Sequence, residues 1–262
     1  MSAFEGVVNR ADWDRHESRV GANVSRLLDL LATYEARATF FVLGWIAERH
    51  PAVVKGIAVA GHEVASHGWD HRRVNGQAPA DFRESIRKSR ALLEDLSGKP
   101  VLGFRAPSFS IVSGAEWALD TLIEEGYRYD SSLFPVRRPG YGYAGGGREP
   151  YLIRRAGGTL AEFPPATLRR WGWTWPAAGG AYLRIFPFGL VRDAVRDFER
   201  RGVGATVYVH PWEIDPEQPR VRAPLSARLR HYTGLHRTLP RLRRLLAEFR
   251  FTAISDAPVS VS

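Results

Sequence analysis

Residues 61–71 read GHEVASHGWDH: a short apolar run, His62–Ser66, that stops at His67 and is followed by a second histidine, His71, four positions on. A strand ending in chemically active side chains fits a parallel sheet, whose reactive groups gather where strand C-termini open into loops. Similar runs lie at Ala38–Leu43 (ATFFVL), Val101–Phe104 (VLGF), Tyr127–Tyr129, Leu160–Phe163 (LAEF), Ala205–Val209 (ATVYV) and Phe251–Ile254 (FTAI). Between them lie segments of helical period: Ala22–Tyr34, Ala80–Leu96 after Pro79, Gly114–Glu125, Phe188–Arg200 and Leu239–Phe249. This alternation predicts an α/β fold, and seven strands with intervening helices predict a distorted (β/α)7-type barrel.

Composition narrows the function classes. Among 262 residues, 44% are apolar, enough to bury a core and to exclude a disordered chain. The 37 Lys and Arg against 28 Asp and Glu give a net charge of +9. The basic stretch Arg220–Arg250 has a stripe of Leu239, Leu242, Leu245, Leu246 and Phe249 behind it, as in an outer helix with solvated arginines. No nucleic-acid motif accompanies that charge, so no nucleic acid partner is expected. Cysteine is absent, which removes disulfides and thiolates and leaves only His and carboxylate for a metal site. The charged start and the lack of a long apolar run predict no signal peptide and no membrane span, hence a soluble, cytoplasmic protein. We read residues 1–262 as one domain with a loop or hairpin insertion around 135–180. That insertion holds YGYAGGG and the cluster Trp171, Trp173 and Trp175, which either covers a barrel end or stacks on sugar rings.

His67 and His71, on one helical turn, would face the same way and suit two ligands of a divalent ion; the competing reading is a chance pair. Gly68 after the first histidine excludes the H-E-x-x-H protease pattern. Arg105, Asp130 and His210 each end a different predicted strand. The plainer readings are a structural ion pair for Arg105, a turn cap for Asp130 and a core histidine for His210.

Together these pieces resemble the polysaccharide deacetylases with a NodB homology domain, the family 4 carbohydrate esterases. GHEVASHGWDH resembles the family's His-x-x-x-His metal motif, RAPSF at 105–109 its Arg-x-Pro-aromatic motif, and VYVHPWE at 207–213 its late strand ending in the catalytic histidine. ATFFVLG, YDSSLFP, SAFEGVVNRADWDRHESR and FPFGLVRDAVRDFERRG resemble the subgroup associated with bacterial exopolysaccharide clusters. The resemblance implies a barrel of the NodB kind and metal-dependent removal of N-acetyl groups from a polysaccharide or oligosaccharide. It makes His67 and His71 ligands of a zinc-type ion, with cobalt as a substitute, and His210 the general acid. Arg105 would orient the catalytic Asp and Asp130 would support the acid histidine. The family's first motif, an Asp pair on the first barrel strand, would lie upstream of Ser2, so its strand is expected to be missing and activity impaired. Glu5, Asp12, Asp14 and Glu17 lie nearby but are not assigned as the base. Two rival functions are an allantoinase-like amide hydrolase of the same superfamily and a non-catalytic carbohydrate-binding protein.

Overall fold

A computed structural model describes residues 4, 7–138, 140–177 and 179–259. Six strands form its main sheet: β1 (Thr39–Val42), β2 (Glu63–Ser66), β3 (Gly103–Phe104), β4 (Tyr129–Asp130), β5 (Tyr151–Arg155) and β6 (Gly158–Glu162). Their spatial order is β1-β2-β3-β4-β6-β5, parallel throughout except for the β5–β6 hairpin. Parallel neighbours require crossovers, which helices supply. After α1 (Val20–Thr33), the helices α2 (Gly44–Arg49) and α3 (Pro51–Val59) join β1 to β2. Next, α4 (Pro79–Ser97) joins β2 to β3, and α5 (Trp117–Glu124) joins β3 to β4. A separate hairpin, β7 (Thr167–Arg170) and β8 (Trp173–Pro176), follows β6, and α6 (Gly180–Ile185), α7 (Phe188–Arg200), α8 (Leu225–Tyr232) and α9 (Leu235–Glu248) complete the chain. The fold is α/β with a mixed, mostly parallel sheet.

The longest crossover shows how local signals become packing. Pro79 opens α4 where no intrahelical N–H is required, and Gly98, at φ 67°, closes it with its amide donating to the Glu94 carbonyl. Phe82, Ile86, Ser89 and Leu93 recur at helical spacing and are buried. Phe82 meets Phe104 of β3 and Trp117 of α5 edge-on, each at 5.6 Å, so one side chain locks three elements. A second cluster joins Leu27, Leu30 and Leu31 of α1 to Leu242 and Leu246 of α9.

The expected seventh-strand closure takes a looser form. Among the described residues, 205–209 makes only isolated bridges, Thr206 with Pro165 and Tyr208 with Gly179. Pro165 has no N–H to donate, which interrupts a ladder there. The segment 251–254 forms no strand; the Phe251 carbonyl accepts the Arg37 amide at 3.3 Å, and the Thr39 hydroxyl accepts the Ile254 amide at 2.8 Å. β1 is thereby the edge of the regular ladder. No described helix is long and apolar enough to cross a membrane.

Candidate active site

Strand register assembles the site. Ser66 pairs with Phe104, Phe104 with Asp130, and Asp130 with Glu162. The residues one step on, His67, Arg105, Ser131 and Phe163, therefore leave the sheet side by side at the C-terminal ends of four parallel strands.

The two histidines meet, but not on a helical turn. Residues 67–71 form a loop in which Gly68, at φ 75°, and His71, at φ 61°, adopt left-handed backbone that no α-helix accommodates. The amides at the start of α2 hold this loop, Gly44 donating to the Gly68 carbonyl and Trp45 to the Trp69 carbonyl, each at 2.9 Å. From α4, the Ser85 hydroxyl accepts the Trp69 amide at 3.0 Å. The imidazole rings of His67 and His71 lie 5.2 Å apart.

His67 Nδ1 lies 2.6 Å from the Arg105 carbonyl. A carbonyl only accepts, so Nδ1 carries the hydrogen and the Nε2 lone pair is left for a ligand. Burial, then His71, push the His67 pKa well below the ordinary histidine range, which keeps the ring neutral. The divalent ion implied by the sequence resemblance would find this nitrogen on His67, with the His71 ring beside it. Among the described residues, no group of three or more His, Cys, Asp and Glu completes a metal site. The fit is therefore to the nitrogen half of a site.

Arg105 does not orient a carboxylate among the described residues. Its Nε donates to the Ser131 carbonyl at 3.0 Å and Nη2 to the Ser131 hydroxyl at 2.6 Å, while its guanidinium lies 4.3 Å from the Phe41 ring centre. Burial lowers its pKa to about 10, so it stays charged at neutral pH. Tyr208 carries the contact chain onward: its ring centre is 5.8 Å from both the Arg105 guanidinium and the His210 ring. His210 also contributes to lowering the His67 pKa, which places both histidines in one electrostatic neighbourhood.

The carboxylate bonded to His210 is Glu213 rather than Asp130. His210 Nδ1 faces Glu213 Oε2 at 2.9 Å, and Glu213 Oε1 accepts from Arg184 Nε at 2.8 Å. Burial raises the Glu213 pKa, but His210 and then Arg184 outweigh it, leaving a net lowering and an ionised carboxylate. The ionised acceptor fixes the hydrogen on Nδ1 and leaves His210 Nε2 to meet a ligand; the side chain is 46% exposed. Sequence reading missed Glu213, although its place three residues after His210 in HPWE was a usable signal.

Asp130 is buried against Glu162 and takes hydrogen bonds from the Ser132 hydroxyl and amide. Two buried facing carboxyls cannot both ionise. Burial raises Asp130 to about 6, while burial and Asp130 hold Glu162 well above the carboxylate range, so Glu162 keeps the proton. Of the other upstream carboxylates, Asp12, Asp14 and Glu17 pair with Arg15, Arg49 and Arg19. Glu5 lies outside the described residues. In the tryptophan cluster, Trp171 and Trp173 are 75% and 71% exposed, so those two do not cover a barrel end.

Residues 13–122 match the family profile described as polysaccharide deacetylase, and residues 131–258 match a domain of unknown function, DUF3473. The first half of the chain is thus similar to polysaccharide deacetylases and the second half to DUF3473. It is 34% identical over 112 residues to a peptidoglycan deacetylase of Helicobacter pylori, a match covering 42% of this chain and 36% of that protein. The aligned part thus spans little more than a third of that relative's length. A Mycobacterium smegmatis structure described as a polysaccharide deacetylase superposes with a TM-score of 0.63 at 24% identity, covering 92% of this chain and 80% of the other. The structure of Puue allantoinase gives 0.62 at 20% identity, over 89% and 70%. At such identities the solved structures share the fold.

Proposed function

We propose that this site removes N-acetyl groups from a polysaccharide, in the cytoplasm, during bacterial exopolysaccharide synthesis. The observation that carries the reading is the convergence of His67, His71, Arg105 and His210 at one end of the sheet. Likeness to the peptidoglycan deacetylase and the exopolysaccharide-type flanking motifs support the polymer class and the role.

His67 and His71 would hold the divalent ion, of zinc type, through their ring nitrogens. When bound, such an ion supplies Lewis acidity to an amide carbonyl. The chain's own groups do the rest. His210, aligned by Glu213, acts as the imidazolium. With Nδ1–H held on Glu213, it delivers a second proton from Nε2 to the leaving amine nitrogen as water adds to the acetyl carbon and the C–N bond breaks; the proton shed by that water restores it. Arg105, fixed on Ser131 and Phe41, provides a stationary positive charge beside the histidine loop. Asp130 with Glu162 braces Ser132 and the turn beneath Arg105.

Acetate release from chitotetraose in the presence of zinc or cobalt tests this. Slow release, from an impaired site, is expected in the wild type, with loss of zinc retention in His67→Ala. In His210→Ala, release is lost while zinc is retained. Unchanged release in His210→Ala would count against the proton-donor role. The incomplete donor set among the described residues favours one second reading, a saccharide-binding protein without catalysis. Chitotetraose binding without acetate release would establish it.

A further inference from the structure

A cavity of about 490 Å³ lies beside the histidine loop, within the size range of small-ligand clefts. Its lining includes Val112, Ser113, Arg137, Arg138, Tyr141 and Tyr143. Two contacts tie it to the site. Arg73, two residues after His71, donates through Nη1 to the Gly140 carbonyl of the cavity wall at 3.2 Å. The amide of Gly142, another wall residue, reaches the carbonyl of Phe109 at 3.5 Å, and the Phe109 ring centre is 5.7 Å from the Arg105 guanidinium.

The lining is one-sided in charge. Among its described residues are two arginines and no carboxylate. Arg137 and Arg138 are exposed, and no carboxylate pairs with either among the described residues. Glu116 is the acid near the rim, and it is engaged by the Tyr143 hydroxyl at 3.2 Å and the Gly114 amide at 2.7 Å. Other arginines of this surface, among them Arg49, Arg83, Arg155 and Arg201, have acidic partners. Guanidinium groups match carboxylates in planar, two-point contact, and tyrosine faces suit sugar rings.

We propose that this cavity is a subsite for a carboxylated sugar, so that the polymer engaged is anionic and carries uronate beside its N-acetylated residues. This rests on the deacetylase reading of the neighbouring site and adds the substrate's charge class.

Binding of hyaluronan tetrasaccharide, which alternates uronate and N-acetyl sugars, is compared with neutral chitotetraose by calorimetry at roughly 50 and roughly 300 mM salt. The expected result is about tenfold tighter binding of the hyaluronan fragment at low salt. In the Arg137→Gln, Arg138→Gln double variant the two affinities converge, with chitotetraose affinity unchanged. Equal affinities in the wild type, or an unaltered preference in the double variant, would overturn the proposal. So would competition by polyglutamate or inorganic phosphate as effective as that of the hyaluronan fragment, because charge alone would then explain the binding. The two readings fail separately. Chitotetraose turned over without any preference sinks the subsite and spares the deacetylase. A preference for the hyaluronan fragment without chitotetraose binding or acetate release does the reverse. Binding of neither sinks both.

Discussion

At the scale of single residues, His210 is set by what stands behind it. Arg184 and Glu213 are 2% and 1% exposed, and Arg184 Nη1 also donates to the His231 and Thr233 carbonyls. Removing the carboxylate strands a buried positive charge. Glu213→Ala is expected to cost about 3–5 kcal/mol in urea unfolding; a loss below about 1 kcal/mol would show the pair to be dispensable. Glu213→Gln keeps an acceptor for His210 Nδ1, so nitrogen NMR should find the ring tautomer preserved in Gln and lost in Ala. The buried acid pair carries a different signature. A carboxyl whose folded pKa is raised binds its proton more tightly when folded, so it favours folding at low pH. That contribution fades as pH rises through the folded value, for Asp130 from its ordinary 3.8 up to about 6. Stability is therefore expected to fall by on the order of 2 kcal/mol between about pH 4 and pH 7 through Asp130, with Glu162 adding in the same direction. Asp130→Asn with Glu162→Gln should flatten that slope; an unchanged slope would assign it to other groups.

At the scale of elements, α2 is the support of the histidine loop. A Cβ on Gly44 would come within 2.3 Å of the Trp69 ring, too close for either to stay in place. If the proposed metal site holds, Gly44→Ala is expected to weaken zinc retention by about tenfold, since displacing Trp69 displaces the loop between His67 and His71. Retention equal to wild type would mean the loop is held without α2. Sequence periodicity exposed α4, α7 and the apolar stripe of α9, because each buries one face and leaves the other wet. It overlooked α2 and α3, where glycine and proline interrupt a short span and the apolar residues give no long repeat. It also expected ladders at 205–209 and 251–254, where residue types suit strands but Pro165 and a side-chain hydroxyl replace backbone partners.

Across the whole molecule, the contact between α1 and α9 joins residues 13–122, which match the polysaccharide deacetylase profile, to residues 131–258, which match DUF3473. Leu242→Ala, at that contact, is expected to cost about 2–5 kcal/mol, and a single urea transition by both near- and far-ultraviolet dichroism would show one cooperative unit. Two separated transitions would show that the segments unfold apart. The candidate site was partly legible in the chain. His67, His71, Arg105 and His210 follow apolar runs, so their common level was implied by strand ends. Glu213, Ser131 and Arg184 were not, because their roles arise from tertiary placement: Arg184 is 29 residues from Glu213 in sequence.

Custody of the chemistry is divided. His67 and His71 hang from residues 13–122, His210 and Glu213 from residues 131–258, and β4 is the joint between them. Because strand side chains alternate, deleting one residue there would turn Ser131 away from Arg105 and shift every later group by a face. The outer loops could lengthen without disturbing that register, but this seam tolerates no slippage.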